Sequence, residues 1–526
     1  MIYDVLKEPW IPAVSADGDI RYIGIYEALC HAEKYSAVRG ENPLVTYGIQ
    51  RLLIAFLQDA LQPEDKNDLI DIISSRHFDA LKLDEYFAAC RKAYECFDLL
   101  DERHPFLQTA FASEDEAAHS PVTSLFLQWP SGNNHIHFSH QIESEMSAGP
   151  EECLRALCTL SAFQISYSRS KHCSVNGTPP RYFLFSGKNL FETLSCSMVS
   201  KTQIDNIAFD IPPSAWRDCV PIPNRQAPAK VSLLHGLSAQ PLRIQLCTSD
   251  DGRIRSIRTA YGYEYKGIKN WTDPHVAFFY RKDKERSLLL SKEGREVWRD
   301  MGTILRRDCC PMIMQHAEDI LNCFQGNRTS MEYRTFSLTT VQKTAMLMPV
   351  GWEEEDLPLY KSLLSNPEQV VFLQSCLECM EDINNRLAWV MGRSMDQLQG
   401  KGGGNRDAKG PYKFLTAQAQ TTFLSNVRQY LLEDFVPFIE TQSMQQQDWD
   451  IVCRTEWGKR IVQFSMTAFQ QTLSRMAQSA QLLHWRAMAS NLLIASTTNI
   501  MKKGGFINNG KKQSNGLDRA IHQQAE

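Results

Sequence analysis

The sequence predicts an α+β fold, a large mixed N-terminal domain followed by a C-terminal four-helix bundle. Three observations carry this expectation. Within residues 331–352, Arg334, Phe336 and Leu338 alternate with Thr335, Ser337 and Thr339, which is a strand period. From 357 to 500, apolar residues recur at helical spacing with few β-signals. Inside that region, Gly400-Lys401-Gly402-Gly403-Gly404-Asn405-Arg406 reads as a flexible loop between long helices. The expected boundaries are a mixed α/β domain over 1–356, the bundle over 357–502, and a flexible tail over 503–526 rich in Lys, Gly, Asn and Gln.

Taken in order, residues 3–26 read as a strand, a turn at Asp17-Gly18-Asp19 and a second strand around Ile20–Ile25. Pro9 and Pro12 fix an extended path around Trp10. Pro43 opens a helix over Leu44–Leu61, in which Val45, Ile49, Leu52, Leu53, Phe56 and Leu57 form a broad apolar stripe. A second helix is expected over Leu83–Leu100, with Tyr86, Phe87, Cys90, Tyr94 and Phe97 inward. His104–Thr109 is a short loop with a buried Phe106-Leu107 pair, 129–150 is a longer loop, and Pro150–Phe163 is a helix. Residues 181–310 mix short strands with proline-rich turns. There Arg253, Arg255 and Arg258 share a strand-like run, and Tyr261, Tyr263 and Tyr265 alternate as one face of a sheet. The stretch 331–352 reads as a short edge hairpin with a solvated polar tip at Gln342 and Lys343. Helices are then expected over 366–399, 411–441, 447–476 and 479–500.

Composition bounds the function classes. The chain has 526 residues, 43% hydrophobic and 22% charged, which fits a soluble globular protein with substantial cores. No apolar run approaches the roughly 20 residues of a membrane span, so no membrane partner is expected. The opening MIYDVLKEPW carries both charge signs and a proline, unlike a secretory signal, so the location expected is cytoplasmic. The 15 cysteines lack a framework spacing and read as reduced, mostly buried thiols. Net charge is −5, but it is unevenly spread. Residues 169–308 hold 23 Lys and Arg against 14 Asp and Glu, a balance of +9, while the rest carries 33 basic and 47 acidic residues, −14. A basic middle inside an acidic chain is the footprint of a local polyanion contact.

Catalytic signals are sparse. His135, His137 and His140 could place imidazoles on one side of an extended strand, so a metal-dependent nuclease or hydrolase using that loop is the alternative reading. No cysteine or carboxylate lies close by to complete a ligand set, and a polar loop is the simpler interpretation. Cys376-Leu377-Glu378-Cys379 is a lone CxxC without a second pair. Glu353-Glu354-Glu355-Asp356 reads as a solvated acidic face. No phosphate-binding glycine loop, nucleophile elbow or zinc-protease helix is present in the sequence. No catalytic residue, metal or cofactor is therefore expected. Binding has better material: Tyr167–His172 and Arg253–Trp271 interleave cations with aromatic and small polar side chains, a composition suited to phosphate contact and stacking.

Several stretches together resemble the CasA family, the large subunit of the type I-E CRISPR surveillance complex Cascade. They are Trp10-Ile11-Pro12 after a short strand, His104-Pro105-Phe106-Leu107-Gln108-Thr109, Phe138-Ser139-His140-Gln141 and Gly177-Thr178-Pro179, followed by the helical C-terminal region. The resemblance implies a non-enzymatic antiviral-defence subunit that reads the protospacer-adjacent motif (PAM) of duplex DNA, largely from the minor groove. It implies help in strand separation and R-loop formation, and in recruiting a helicase-nuclease. Its partners would be the double-stranded DNA target, guide RNA, and the backbone, handle-binding and small Cascade subunits. Residues 1–356 would then be the nucleic-acid-recognition domain. By aligned position the glutamine wedge falls at Gln342, with Lys343 beside it, and the lysine finger at Lys266 or Lys269. The minor-groove loop corresponds to Arg169, Ser170, Lys171 and His172. Asn134 and Phe138 fall where guide RNA or the complex is contacted. The family's loop is glycine-rich and this one has no glycine, so Ser170 or Lys171 would read the groove by side chain. Some members carry a central cysteine cluster. Only Cys247 lies near here, so no zinc is expected.

Overall fold

The computed structural model describes residues 2–113, 117–129, 146–165, 173–204, 207–218, 230–265, 268, 271–281, 285–324, 330–343, 346–398, 413–445, 447–475 and 480–507. It is mixed α/β with a helical C-terminal region. Two compact units form. One is Met1–Val297 with Arg307–Leu359, and the other is Trp298–Arg306 with Tyr360–Glu526.

The first unit is built around the helix Pro43–Leu61. Asn42 caps it, its side-chain oxygen accepting from the backbone N–H of Leu44 and Val45 at 3.0 Å each, and Pro43 occupies the first helical position, where no N–H is needed. Every residue from Leu44 to Asp59 is buried, so the apolar stripe seen in the sequence is only part of its covered surface. Gly48 lets the helix Pro150–Phe163 approach closely, since a Cβ there would lie 2.7 Å from the Cys158 carbonyl oxygen. The second expected helix stops at Tyr94, where Glu95 turns left-handed (φ 49°), and Phe97 enters the core from beyond it. Trp10 is fully buried and donates its indole N–H to the Val5 carbonyl at 2.9 Å.

Among the described residues there are three three-stranded sheets and one two-stranded hairpin. The first has Ile11–Ser15 between Ile20–Ile23 and Tyr35–Val38. Another has Ile254–Tyr261 between Ala118–Pro121 and Leu242–Thr248. The third contains the expected hairpin, longer than the sequence suggested and with only its second strand at the sheet edge. Ser330–Lys343 is the central strand, between Met346–Tyr360 and Tyr182–Phe185, with Tyr333 opposite Phe185 and Phe336 opposite Tyr182. Both of its faces are covered, and Tyr333 through Thr339 are buried except Arg334.

The acidic run also departs from expectation. Glu353–Asp356 lies inside the strand Met346–Tyr360, and Glu353, Glu354 and Glu355 are half-buried, so it is not a simple solvated face. Arg39 pairs with Glu354, Arg181 reaches Glu355 at 2.5 Å and Glu353 at 3.5 Å, and Arg334 reaches Asp356 at 2.8 Å. The cations come from distant chain positions, which is why the run looked unpartnered in sequence.

In the second unit the long helices are Pro367–Leu398, Lys413–Gln429, Val436–Gln445, Trp449–Ser474 and Ala480–Lys503. A π-helical turn, Tyr430–Phe435, joins the second and third just before Pro437, whose missing N–H would interrupt regular helical bonding. Trp457 is fully buried, donates to the Cys376 carbonyl at 3.1 Å and lies 4.6 Å from the Phe435 ring. The short segment Trp298–Arg306 joins this unit through Arg299, which forms a two-bond pair with Glu381 at 2.8 and 2.7 Å. The described cysteines are free thiols. Among the described residues, no helix is long and apolar enough to cross a membrane.

Candidate nucleic-acid interface

The centre of the first unit is a charged group placed where the sequence showed only an apolar helix. Arg51 is 1% exposed and every N–H of its guanidinium has a partner. Nε donates to the Leu237 carbonyl at 3.1 Å, Nη2 to the Gly236 carbonyl at 2.9 Å and to Asp273 Oδ2 at 2.7 Å. Nη1 donates to the Tyr47 hydroxyl at 2.9 Å and to Asp273 Oδ1 at 3.3 Å. The two accepting carbonyls lie near the C-terminal end of the short helix Leu233–Ser238, where carbonyls lack helical partners. Burial pushes the Asp273 carboxyl upward, but the attraction and hydrogen bonds of Arg51 outweigh it and hold the group below its ordinary value. The pair is therefore ionised and dry.

Around it, Tyr47 stacks on Tyr182 with ring centres 4.6 Å apart and lies 5.4 Å from the Phe336 ring. His275 bridges Tyr47 and the chain after Tyr182. Its Nε2 lies 3.0 Å from the Ser197 carbonyl, which can only accept, so Nε2 carries the proton. Nδ1 then accepts from the Tyr47 hydroxyl at 3.3 Å. Burial holds His275 neutral, its pKa pulled down to about 4.

This centre roots three segments that carry sequence-predicted residues. Gln342 stands exposed at the end of the strand Ser330–Lys343, whose Phe336 packs on Tyr47. Lys343 closes that strand, and its side chain lies outside the described residues. Arg169, Ser170, Lys171 and His172 lie outside them too, but their flanks are fixed. Ile165 is 1% exposed, and Ser174 donates its backbone N–H to the Gln164 carbonyl at 2.9 Å. Lys266 and Lys269 are also outside the described residues, between Tyr265 and Trp271. Tyr265 is 3% exposed with its hydroxyl 3.0 Å from His235 Nε2, and the Trp271 ring lies against Gly236, where a Cβ would come within 2.1 Å of it. Asn134, Phe138 and the His135, His137 and His140 loop lie outside the described residues as well. Among the described residues, no group of three or more His, Cys, Asp or Glu side chains is placed to hold a metal.

Two sequence readings change. Tyr263 and Tyr265 are not a sheet face, because the strand ends at Tyr261 and both rings pack about His235. Arg253, Arg255 and Arg258 do not form a free cationic stripe. Arg253 bonds Ser147, Arg255 grips Asp251 at 2.9 and 2.6 Å, and Arg258 is buried, bonding Gln245 and lying over the Phe111 ring. Sequence reasoning missed Arg51, Asp273, His275 and Asn176. The one available signal was a lone cation amid Ile49, Leu52, Leu53 and Ile54.

The family model for CRISPR-associated protein Cse1 matches residues 4–466. The chain belongs to the Cse1 family. The CasA resemblance carried by Trp10-Ile11-Pro12, His104–Thr109 and Gly177-Thr178-Pro179 therefore holds, and it makes this a type I-E CRISPR protein of antiviral defence. A CRISPR-associated CasA/Cse1 protein of Thermus thermophilus is 27% identical over 399 residues, covering 73% of this chain and 76% of that protein. Among solved structures, Thermus thermophilus CasA superposes with a TM-score of 0.73 at 20% identity, covering 96% of this chain and all (100%) of that one. Thermobifida fusca Cse1 gives 0.74 at 17% identity, covering 96% and 99%. A chain of a CRISPR RNA-guided surveillance complex gives 0.71 at 15%, covering 94% and 99%. These three share the Cse1 fold.

Proposed function

We propose that this Cse1-family chain is the non-catalytic large subunit of a Cascade complex, reading the protospacer-adjacent motif in duplex DNA and starting strand separation. The observation that carries the reading is Gln342, an exposed amide near the end of a strand whose residues Thr335–Thr339 are buried at the centre of a sheet. A polar tip on a rigid support suits insertion beside a base pair, which costs a few kcal/mol per unstacked step. Contacts to the duplex offset that cost, and guide pairing then makes strand exchange nearly balanced. Lys343 would contact phosphate. Lys266 or Lys269 would reach the minor groove, and Arg169, Ser170, Lys171 and His172 would line it. That groove shows a degenerate pattern, so tolerant motif recognition follows.

Asn134 and Phe138 would meet guide RNA or a neighbouring subunit. Partners on this reading are target DNA, guide RNA, the other Cascade subunits in the cytoplasm and a recruited helicase-nuclease. The long C-terminal helices, with Phe435, Trp457 and Phe469 buried among them, support a four-helix bundle over 357–502 as a separate domain.

Gln342→Ala is expected to weaken stable opening of a matched duplex about tenfold, roughly 1.4 kcal/mol, with little change on a pre-opened bubble. Gel-shift titration of the assembled complex on both substrates checks this, and equal loss on the two removes the wedge role. Lys266→Ala and Lys269→Ala are expected to lower discrimination between motifs, and the residue whose loss leaves the preference unchanged is not the finger.

A further inference from the structure

We propose that Asn176 and Trp271 form a clamp that sets the spacing of the two proposed groove-reading segments, making both of them positioning residues for motif discrimination. The inference rests on the PAM-reading role proposed above. Asn176 follows the segment 166–172 and Trp271 follows the segment 266–270, so the two segments are 95 residues apart in sequence at this junction. Trp271 Nε1 donates to Asn176 Oδ1 at 2.8 Å. The same amide donates from Nδ2 to Asp273 Oδ2 at 2.9 Å and to the Tyr182 hydroxyl at 3.1 Å. Tyr182 in turn donates its hydroxyl to the Ala162 carbonyl at 2.9 Å. The orientation of the amide is thus dictated: its oxygen faces an indole that can only donate, and its nitrogen faces a carboxylate that can only accept.

Both flanks are held by further contacts besides this bond. Gly177 takes a left-handed conformation (φ 77°) and its N–H closes a turn onto the Ser174 carbonyl at 2.8 Å, which fixes Asn176 within that turn. On the other side, Trp271 lies against side-chain-free Gly236, whose carbonyl is held by Arg51, and Asp273 is gripped by the same guanidinium. The described flanks of the two segments are therefore tied to one buried ion pair, and Asn176–Trp271 is a direct hydrogen bond between them, beside the packing of Val175 with Tyr265 and Trp271. A reader that compares two points along a groove needs their separation held to a fraction of an ångström, and misplacement loses discrimination before it loses affinity.

The test uses the full chain assembled in its complex, with duplex DNA randomised beside the guide-matched sequence and a pre-opened bubble lacking that flank. Trp271→Phe removes the donor and keeps an aromatic ring, whereas Trp271→His keeps a ring N–H at a comparable loss of packing. Trp271→Phe should lower the spread of binding across motifs about fivefold, the scale of one hydrogen bond, while bubble binding stays within about twofold. Trp271→His should retain more of the spread than Trp271→Phe. Asn176→Ser, checked by thermal unfolding, should match Trp271→Phe. Equal loss in both Trp271 variants, or none in either, overturns the clamp. If Lys266→Ala or Lys269→Ala abolishes discrimination while the Trp271 and Asn176 variants keep it, the clamp fails and the motif-reading role stands. If the unaltered complex shows no preference among motifs, both fail.

Discussion

Replacing Arg51 with alanine is expected to cost about 3–5 kcal/mol of folding stability, the range for removing one partner of a buried ion pair. The loss has three parts. Asp273, fully covered, is left as an uncompensated charge. The Gly236 and Leu237 carbonyls lose their donors, and the Tyr47 hydroxyl loses one. A void opens beneath the Tyr182 ring, over which the guanidinium sits at 5.5 Å. Against a total stability of about 5–15 kcal/mol for a typical domain, this approaches global unfolding of the unit. Equilibrium denaturation followed by circular dichroism checks it. Arg51→Met combined with Asp273→Asn should recover part of the loss, because the stranded charge is gone. A double variant no better than Arg51→Ala would mean that charge burial is not the dominant cost.

The second large effect is acid lability. Burial depresses His275 and His235 to about 4 each, against about 6.5 in an unfolded chain. The sign follows from which state binds more protons. Between pH 6.5 and 4 the unfolded chain is protonated at these positions and the folded one is not. The contribution is therefore fully present above 6.5 and is lost as pH falls toward 4. At pH 5 each histidine has surrendered about 2 kcal/mol relative to pH 7.5. Protonation would put a second cation beside Arg51 and aim a new N–H at the Tyr47 hydroxyl, with Asp273 only partly compensating. Asp59 and Glu353, raised by burial, oppose the trend, since they take up protons more readily when folded. The urea midpoint should fall markedly between pH 7.5 and 5, and His275→Asn should flatten that fall. Parallel pH profiles for the two proteins would show that His275 does not drive it.

What could be read from sequence followed the range of the interaction. Pro43 with the apolar positions behind it marks the central helix, and Pro150–Phe163 emerges with the bounds expected, because caps and periodicity are local. The alternation at Arg334–Thr339 marks a strand for the same reason. Neighbours were not legible. Nothing near Glu353–Asp356 announces Arg39 and Arg181, and nothing near Arg258 announces Gln245 and Phe111. The candidate interface divides the same way. Gln342 and the lysines came from the order of motifs along the chain. The polar centre, Arg51 with Asp273, Asn176 and Trp271, joins residues up to 222 positions apart and leaves almost no local trace.

The strand bearing Gln342 has a mechanical consequence. It is gripped by Tyr182–Phe185 over Tyr333–Phe336, and again at Thr339, whose hydroxyl meets Ser291 at 2.9 Å. Beyond that point the chain from Thr340 to Lys343 runs roughly 13 Å past this grip at the ordinary strand rise, with Met346–Tyr360 as its remaining strand neighbour. A beam clamped along most of its length with so short an end beyond the clamp is stiff. Load applied at Gln342 would run along the strand to Phe336 and the Tyr47 ring it packs on. On the wedge reading proposed above, a base pair pressed against such an end would yield before the protein does.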